Sequence, residues 1–202
     1  GAKKGFVVMS MWGCGGTSVA TIKPFKKLDD LKGRKIRVLA TPLERAVIGA
    51  LGATGVPIPY SEVLPSMQRK TIDGVRSSIG VMHPSKFWTV AKHITLTGMA
   101  QITCGSFTST AFLNKLPKDL KKVVTDAAKA STVHAGKWGH DLTRAAEKKW
   151  AGEKGAFVYK LSAPEQKELI SRVRPIGDRI LGEDPKTKDI YAMLKKAAAA
   201  TR

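Results

Sequence analysis

Between residues 35 and 79 this chain alternates short apolar stretches with short helical ones, and that alternation restricts its fold more than any other feature. Residues 35–39 place Ile36 and Val38 on one face of an extended segment and Lys35 and Arg37 on the other. Pro42 suits the first position of a helix over 43–51, which Gly52 and Gly55 end. Residues 56–60 are extended, and their two prolines confine them to a sheet edge. Ser61 is a candidate N-cap for a helix to about Arg69. A strand at 71–75, interrupted by Gly74, follows. Strands alternating with helices are the mark of α/β units. In open α/β sheets ligands bind beyond the carboxyl ends of strands. The segments 29–38, 57–63 and 71–78 supply three such ends. Arg37, a lone cation on a short apolar strand, points to a site for a small organic anion.

The rest of the chain extends this pattern. Residues 5–12 are apolar and partly β-branched, so a strand is expected. The run GCGGTS at 13–18 reads as a glycine-rich loop. It lacks the Gly-Lys-Ser/Thr of a phosphate loop; it either lets a ligand approach the backbone closely or is a plain turn. Residues 79–91 read as helical with a turn at His83–Pro84. Residues 93–96 and 100–104 are strand-like, and 106–112 continue that character. From Pro117 to about Ala151 a helix of over 30 residues is expected, long enough to bridge two lobes. A strand at 157–159 leads to a capping box, Ser162 to Glu165, and a helix over 165–181. Asp184-Pro185 interrupts before a last helix at 189–200.

Composition limits the alternatives. The 202 residues, 43% hydrophobic, suffice for one substantial core or two small domains. No apolar run is long enough to span a membrane, and the first 13 residues make a poor export signal. The net charge of +19 raises nucleic acid, an anionic membrane surface or a small anion as partners. The lysines and arginines are spread as pairs, such as Lys26–Lys27 and Lys121–Lys122, with no arginine-rich arm and no RNA-binding aromatic motif. A solvated basic surface is therefore expected, with nucleic-acid binding as the alternative function. Cys14 and Cys104 lack zinc-site spacing, and two free thiols are expected unless the fold brings them together. The four histidines show no ligand spacing, so no metal is expected. Ser77, Ser78, His83 and Asp73 suggest a hydrolase set, but no Gly-x-Ser-x-Gly elbow holds a serine, and no catalysis is expected.

Four blocks, taken in order, resemble the solute receptors of tripartite ATP-independent periplasmic (TRAP) transporters of the dicarboxylate-receptor, or DctP, type. They are KPFKKLDDLKGRKIRV (23–38), ALGATGVPIPYSEVLPSMQRKTIDGV (50–75), SKFWTVAKHITLTG (85–98) and LNKLPKDLKKVVTDAAK (113–129). The resemblance implies a periplasmic-binding-protein-like α/β fold: two lobes around a cleft, with a long bridging helix. Residues 1–14 would end the first lobe, 15–102 form the second, 103–142 return to the first with the long helix, and 143–202 complete the second with the C-terminal helices. The first lobe would be incomplete, so that either residues upstream complete it or the chain pairs with another, including self-association. The implied function is a periplasmic receptor that binds a small organic acid and delivers it to TRAP permease membrane subunits, without cofactor, metal or nucleic acid. Arg37 matches the family's arginine that forms a salt bridge to the ligand carboxylate. Tyr60 matches an aromatic position that packs on the ligand. Ser77 stands where many members have an asparagine bonding the ligand, and Ser78 follows it. Arg76 replaces an acid and would add a second cation to the cleft. Gly16 and Thr17 lie near where many members carry a further arginine.

Overall fold

The alternating segment does build one face-to-face α/β unit, in a computed structural model that describes residues 4–200. Residues 1–3 and 201–202, the outer ends of the first and last expected segments, lie outside the described residues. Six strands form one mixed sheet: β1 (Phe6–Thr21), β2 (Lys35–Val38), β3 (Thr54–Pro57), β4 (Gly74–Ser78), β5 (His93–Ser109) and β6 (Phe157–Lys160). Their order is β3-β2-β4-β1-β5-β6. Strand β2 runs parallel to β3 and β4, and β5 parallel to β6; β1 is antiparallel to both β4 and β5. The proline-bearing β3 is an edge strand, as the missing N–H of Pro57 requires.

Among the described residues there are seven α-helices: α1 (Pro42–Ala50), α2 (Val63–Gln68), α3 (Ile79–Met82), α4 (Thr110–Lys115), α5 (Lys118–Gly152), α6 (Ala163–Gly182) and α7 (Lys188–Ala200). Thr41 caps α1 by accepting from the Glu44 backbone N–H, with Pro42 in the first turn. Helix α5 runs for 35 residues, the long element the sequence promised. At α6 the capping box is only half formed. Ser162 accepts from the Glu165 N–H, but the Glu165 carboxylate accepts from the Leu28 N–H at 2.6 Å. A cap side chain has thereby become a tertiary tie.

Register sorts the strand side chains between two cores. Ala20, Val75 and Ile94 face Met67, Ile79 and Trp150, under α2, α3 and the C-terminal part of α5. Val19, Ile36 and Val38 face Phe25, Ile48, Leu51 and Leu169, under α1 and α6. Both cores sit at the wide end of the sheet. Among the described residues, Leu113 is the one buried hydrophobic side chain outside the stretches 19–94 and 146–169. Beyond Thr17 the sheet narrows to a ribbon, residues 6–13 of β1 against 103–109 of β5. Phe6, Val8, Met11 and Phe107 on that ribbon, with Val123 and Trp138 on α5, remain exposed.

The structure corrects several local expectations. The GCGGTS run is not a loop but the bulged middle of β1, with register shifts between Gly13 and Gly16 and between Gly16 and Ser18. Two of its glycines lie under α5: a Cβ at Gly139 would collide with the Gly13 carbonyl, and one at Gly15, at φ +87°, with Thr143. The strand expected at 71–75 lies at Gly74–Ser78, because pairing with β1 begins opposite Thr21. The helix expected over 79–91 is one turn, Ile79–Met82, then a 3₁₀ turn at Phe87–Thr89. The three strand-like pieces between 93 and 112 fuse into β5, and Thr110 starts α4. Ser61 caps nothing; it sits within a 3₁₀ turn, Tyr60–Glu62, that runs into α2. The expected free thiols are a disulfide: the fold sets Cys14 and Cys104 on paired strands with Cα atoms 6.2 Å apart.

Candidate functional site

Two arginines on neighbouring strands are almost wholly buried, Arg37 at 5% exposure and Arg76 at 6%. Register puts them on opposite faces of the sheet. Arg37 pairs with Val75 and shares the α2–α3–α5 face with Ala20, whereas Arg76 pairs with Val19 on the α1–α6 face. The expected addition of Arg76 to the cleft of Arg37 is therefore not what the fold builds. Strand periodicity of two forces the split, since Val75 already occupies the face Arg37 uses.

The partners differ as much as the faces. Arg76 forms an ion pair through Nη1 with the Glu44 carboxylate, an α1 residue. Arg37 has no acid within ion-pair distance among the described residues. Its Nε donates to the Ile58 carbonyl at 3.1 Å, and its guanidinium carbon lies 5.5 Å from the centre of the Tyr60 ring. Its two Nη nitrogens donate to no group among the described residues. Burial lowers the Arg37 pKa from its ordinary value, and the Tyr60 hydroxyl and Glu44 only partly offset this. Tyr60 is itself fixed: its hydroxyl lies 3.2 Å from the Val81 carbonyl and 3.0 Å from Ser85 Oγ, and its ring packs on Phe87. Burial raises its phenol above the ordinary value. Tyr60 is thus a neutral, oriented aromatic wall beside an uncompensated cation.

Ser77 lies on the Arg37 face, two residues beyond the Val75 partner of Arg37. It is half-buried between buried neighbours. Its cross-strand partner Ser18 lines a cavity of about 360 Å³ together with Gly16, Thr17, Thr143, Lys160 and Gln166. Strand pairing thus sets Ser77 beside Ser18 of this cavity and Arg37 lies against Tyr60, but Arg37, Tyr60 and Ser77 are not among the residues that line the cavity. The hydroxyls of Thr17 and Ser78 are committed elsewhere. Thr17 Oγ1 accepts from the Ala100 N–H at 3.2 Å, and Ser78 Oγ donates to the Cys14 carbonyl at 2.6 Å and caps Gly80. They hold the bulge in shape.

The hydrolase set does not assemble. His83 bonds Glu153 at 3.0 Å, and the Asp73 carboxylate accepts from the Lys35 N–H at 2.8 Å. Among the described residues no three His, Cys, Asp or Glu side chains form a metal-ligand group. No helix there is long and apolar enough to cross a membrane.

Residues 2–184 match the family model of the bacterial extracellular solute-binding proteins, family 7, the DctP type. This chain belongs to that family. A solute-binding protein of Sulfitobacter sp. (strain NAS-14.1) is 31% identical over 135 residues, 67% of this chain and 40% of the relative. The periplasmic ectoine-binding protein of the TeaABC TRAP transporter of Halomonas elongata superposes with a TM-score of 0.89 at 23% identity, over 100% of this chain and 66% of that one. A TRAP periplasmic solute-binding protein from Shewanella oneidensis, solved with bound succinate, gives 0.86 at 28% identity, over 95% and 62%. The fold is therefore that of the TRAP receptors, as the four sequence blocks implied. This chain spans less than half the length of the Sulfitobacter relative and under two thirds of the succinate-bound receptor. Nothing in these matches supports the nucleic-acid alternative.

Sequence reasoning missed Glu44, the partner of Arg76, and the cavity residues Thr143, Lys160 and Gln166. Glu44 carried a local signal as a first-turn acid three residues after an N-cap threonine, which explains its place in α1 but not its partner. Thr143 and Gln166 come from helices remote in sequence and carried none.

Proposed function

We propose that this chain is the ligand-binding part of an extracytoplasmic receptor for a small organic acid, which it passes to TRAP-type permease subunits in a membrane. The observation that carries the reading is Arg37, a guanidinium 5% exposed whose Nη donors lack any partner among the described residues. A buried charge without a counter-ion is costly, and a carboxylate supplies both the charge and a matching pair of acceptors. In this reading Tyr60 covers the apolar body of the acid. Ser77 sets its orientation, and the Gly16–Thr17 bulge borders the space it occupies. Ser78 and Thr17 act by holding that bulge. The related Shewanella oneidensis receptor with succinate supports a carboxylate as the ligand class. The Cys14–Cys104 disulfide supports a location outside the cytoplasm, since such bonds persist in oxidising compartments.

The same reading divides the chain into lobes. Residues 15–102 and 143–202 form one lobe with both cores, while 1–14 and 103–142 belong to the other, joined by the ribbon and by α5. The exposed apolar row from Phe6 to Trp138 is then the face on which the rest of that lobe, or a second copy of the chain, is seated.

Calorimetric titration with a panel of dicarboxylates and sugar acids tests the site. One class of acid binds, and Arg37→Ala weakens it by about 2–4 kcal/mol, the worth of a buried charge-assisted fork. Arg37→Lys recovers only part, because an ammonium cannot make the two-pronged contact. Equal binding by Arg37→Ala and the parent refutes the assignment.

A further inference from the structure

The second buried arginine faces a cavity of its own. Between α1, the start of the ribbon, α6 and α7 lies a space of about 390 Å³ with Arg76 in its wall. We infer that this space is a second ligand site, distinct from that of Arg37, for a monocarboxylate with an apolar body.

Three observations converge on that ligand. The first is an unfinished guanidinium. Arg76 Nη1 is held by Glu44, but Nε is buried without a hydrogen-bond partner among the described residues. Nη2 likewise donates to no described group. A guanidinium offers its donors in a fixed fork. With the Nη1 side taken, the Nε–Nη2 edge remains, and that edge matches the two oxygens of a carboxylate. Orphaned buried N–H groups are rare enough to require an explanation.

The second observation is charge. Glu44 neutralises Arg76, and Arg174 at the exposed rim leaves the site with one net positive charge. That suits a single carboxylate. A second carboxylate on the ligand would meet Glu44 and be repelled. The third is the wall. Leu43 and Val47 of α1, Met99 of β5 and Val173 of α6 line the space with aliphatic groups. The Tyr191 hydroxyl, also in the wall, already donates to Asp178 at 3.1 Å. A volume near 390 Å³ lies within the roughly 300–1,000 Å³ of small-molecule sites. An aliphatic acid fills such a space with its chain inward and its carboxylate on Arg76. Because Arg76 and Arg37 lie on opposite faces of the sheet, the two sites do not share a ligand.

Titration calorimetry of the full chain with octanoate tests this, with octanamide and succinate as companions. Octanoate binds, octanamide binds about tenfold or more weakly for want of the charged fork, and succinate does not displace octanoate. Arg174→Glu, at an exposed position that leaves the fold intact, weakens octanoate several-fold. The double variant Arg76→Met, Glu44→Leu removes the buried pair together, so no lone charge is stranded, and it abolishes binding while circular dichroism stays native. Octanoate binding survives Arg37→Ala, so a failure of the Arg37 assignment is read separately in the dicarboxylate panel. Absence of octanoate binding overturns the proposal. So do equal affinity for octanamide, indifference to both Arg174→Glu and the double variant, or loss of octanoate binding in Arg37→Ala.

Discussion

Reducing the Cys14–Cys104 bond should cost this chain a large share of its stability, and the amount follows from where the two cysteines lie. They are 90 positions apart, so the bond closes a loop holding five of the six strands, wholly or in part. In the loop-closure picture the unfolded chain loses roughly 2.1 + 1.5R ln n cal/mol/K, which for the 90-residue separation is about 15 cal/mol/K, or roughly 4.6 kcal/mol near 25 °C. For a chain of about this size each kcal/mol moves the melting temperature by roughly 2–4 °C, so the expected fall is about 9–18 °C. The bond ties β1 to β5 where the sheet narrows to two strands, so the native ribbon also loses its one covalent clamp. Thermal melts by far-ultraviolet circular dichroism, with and without reductant, measure the shift, and Cys14→Ser with Cys104→Ser should reproduce the reduced value. Two titratable thiols in the untreated chain, or melts that coincide with and without reductant, would refute the reasoning.

Two further outcomes follow from the same geometry. Gly139→Ala drives a Cβ into the Gly13 carbonyl under α5 and should destabilise by about 1–3 kcal/mol, whereas Gly136→Ala, with open space around its Cβ, should stabilise by about 0.5–1 kcal/mol in urea unfolding. Burial, with the cations Lys26 and Arg34, holds His93 below its ordinary value of 6.5. The unfolded chain then takes the proton first, so this contribution is complete above about 6.5 and is lost as the pH falls toward the folded value. Denaturant midpoints across that window should flatten in His93→Gln.

The sequence by itself determined what depends on local chemistry. The helix α1 follows from Pro42 and Gly52, the edge place of β3 from its proline, and α5 from an unbroken run of helix-compatible residues. It also singled out Arg37 as the proposed anchor, because a cation on an apolar strand at a sheet's carboxyl end is visible without coordinates. Tertiary structure alone decided whatever depends on register and on contacts between distant segments. The glycine run became a bulged strand because α5, over 100 residues later, needs backbone-to-backbone approach there. Arg76 went to the far face because strand alternation is fixed only once β4 pairs with β1, and its acid, Glu44, lies 32 residues away with no periodic relation to it. Cys14 and Cys104 met because an antiparallel ribbon brings the beginning and the middle of the chain side by side, a proximity that no spacing along the sequence encodes.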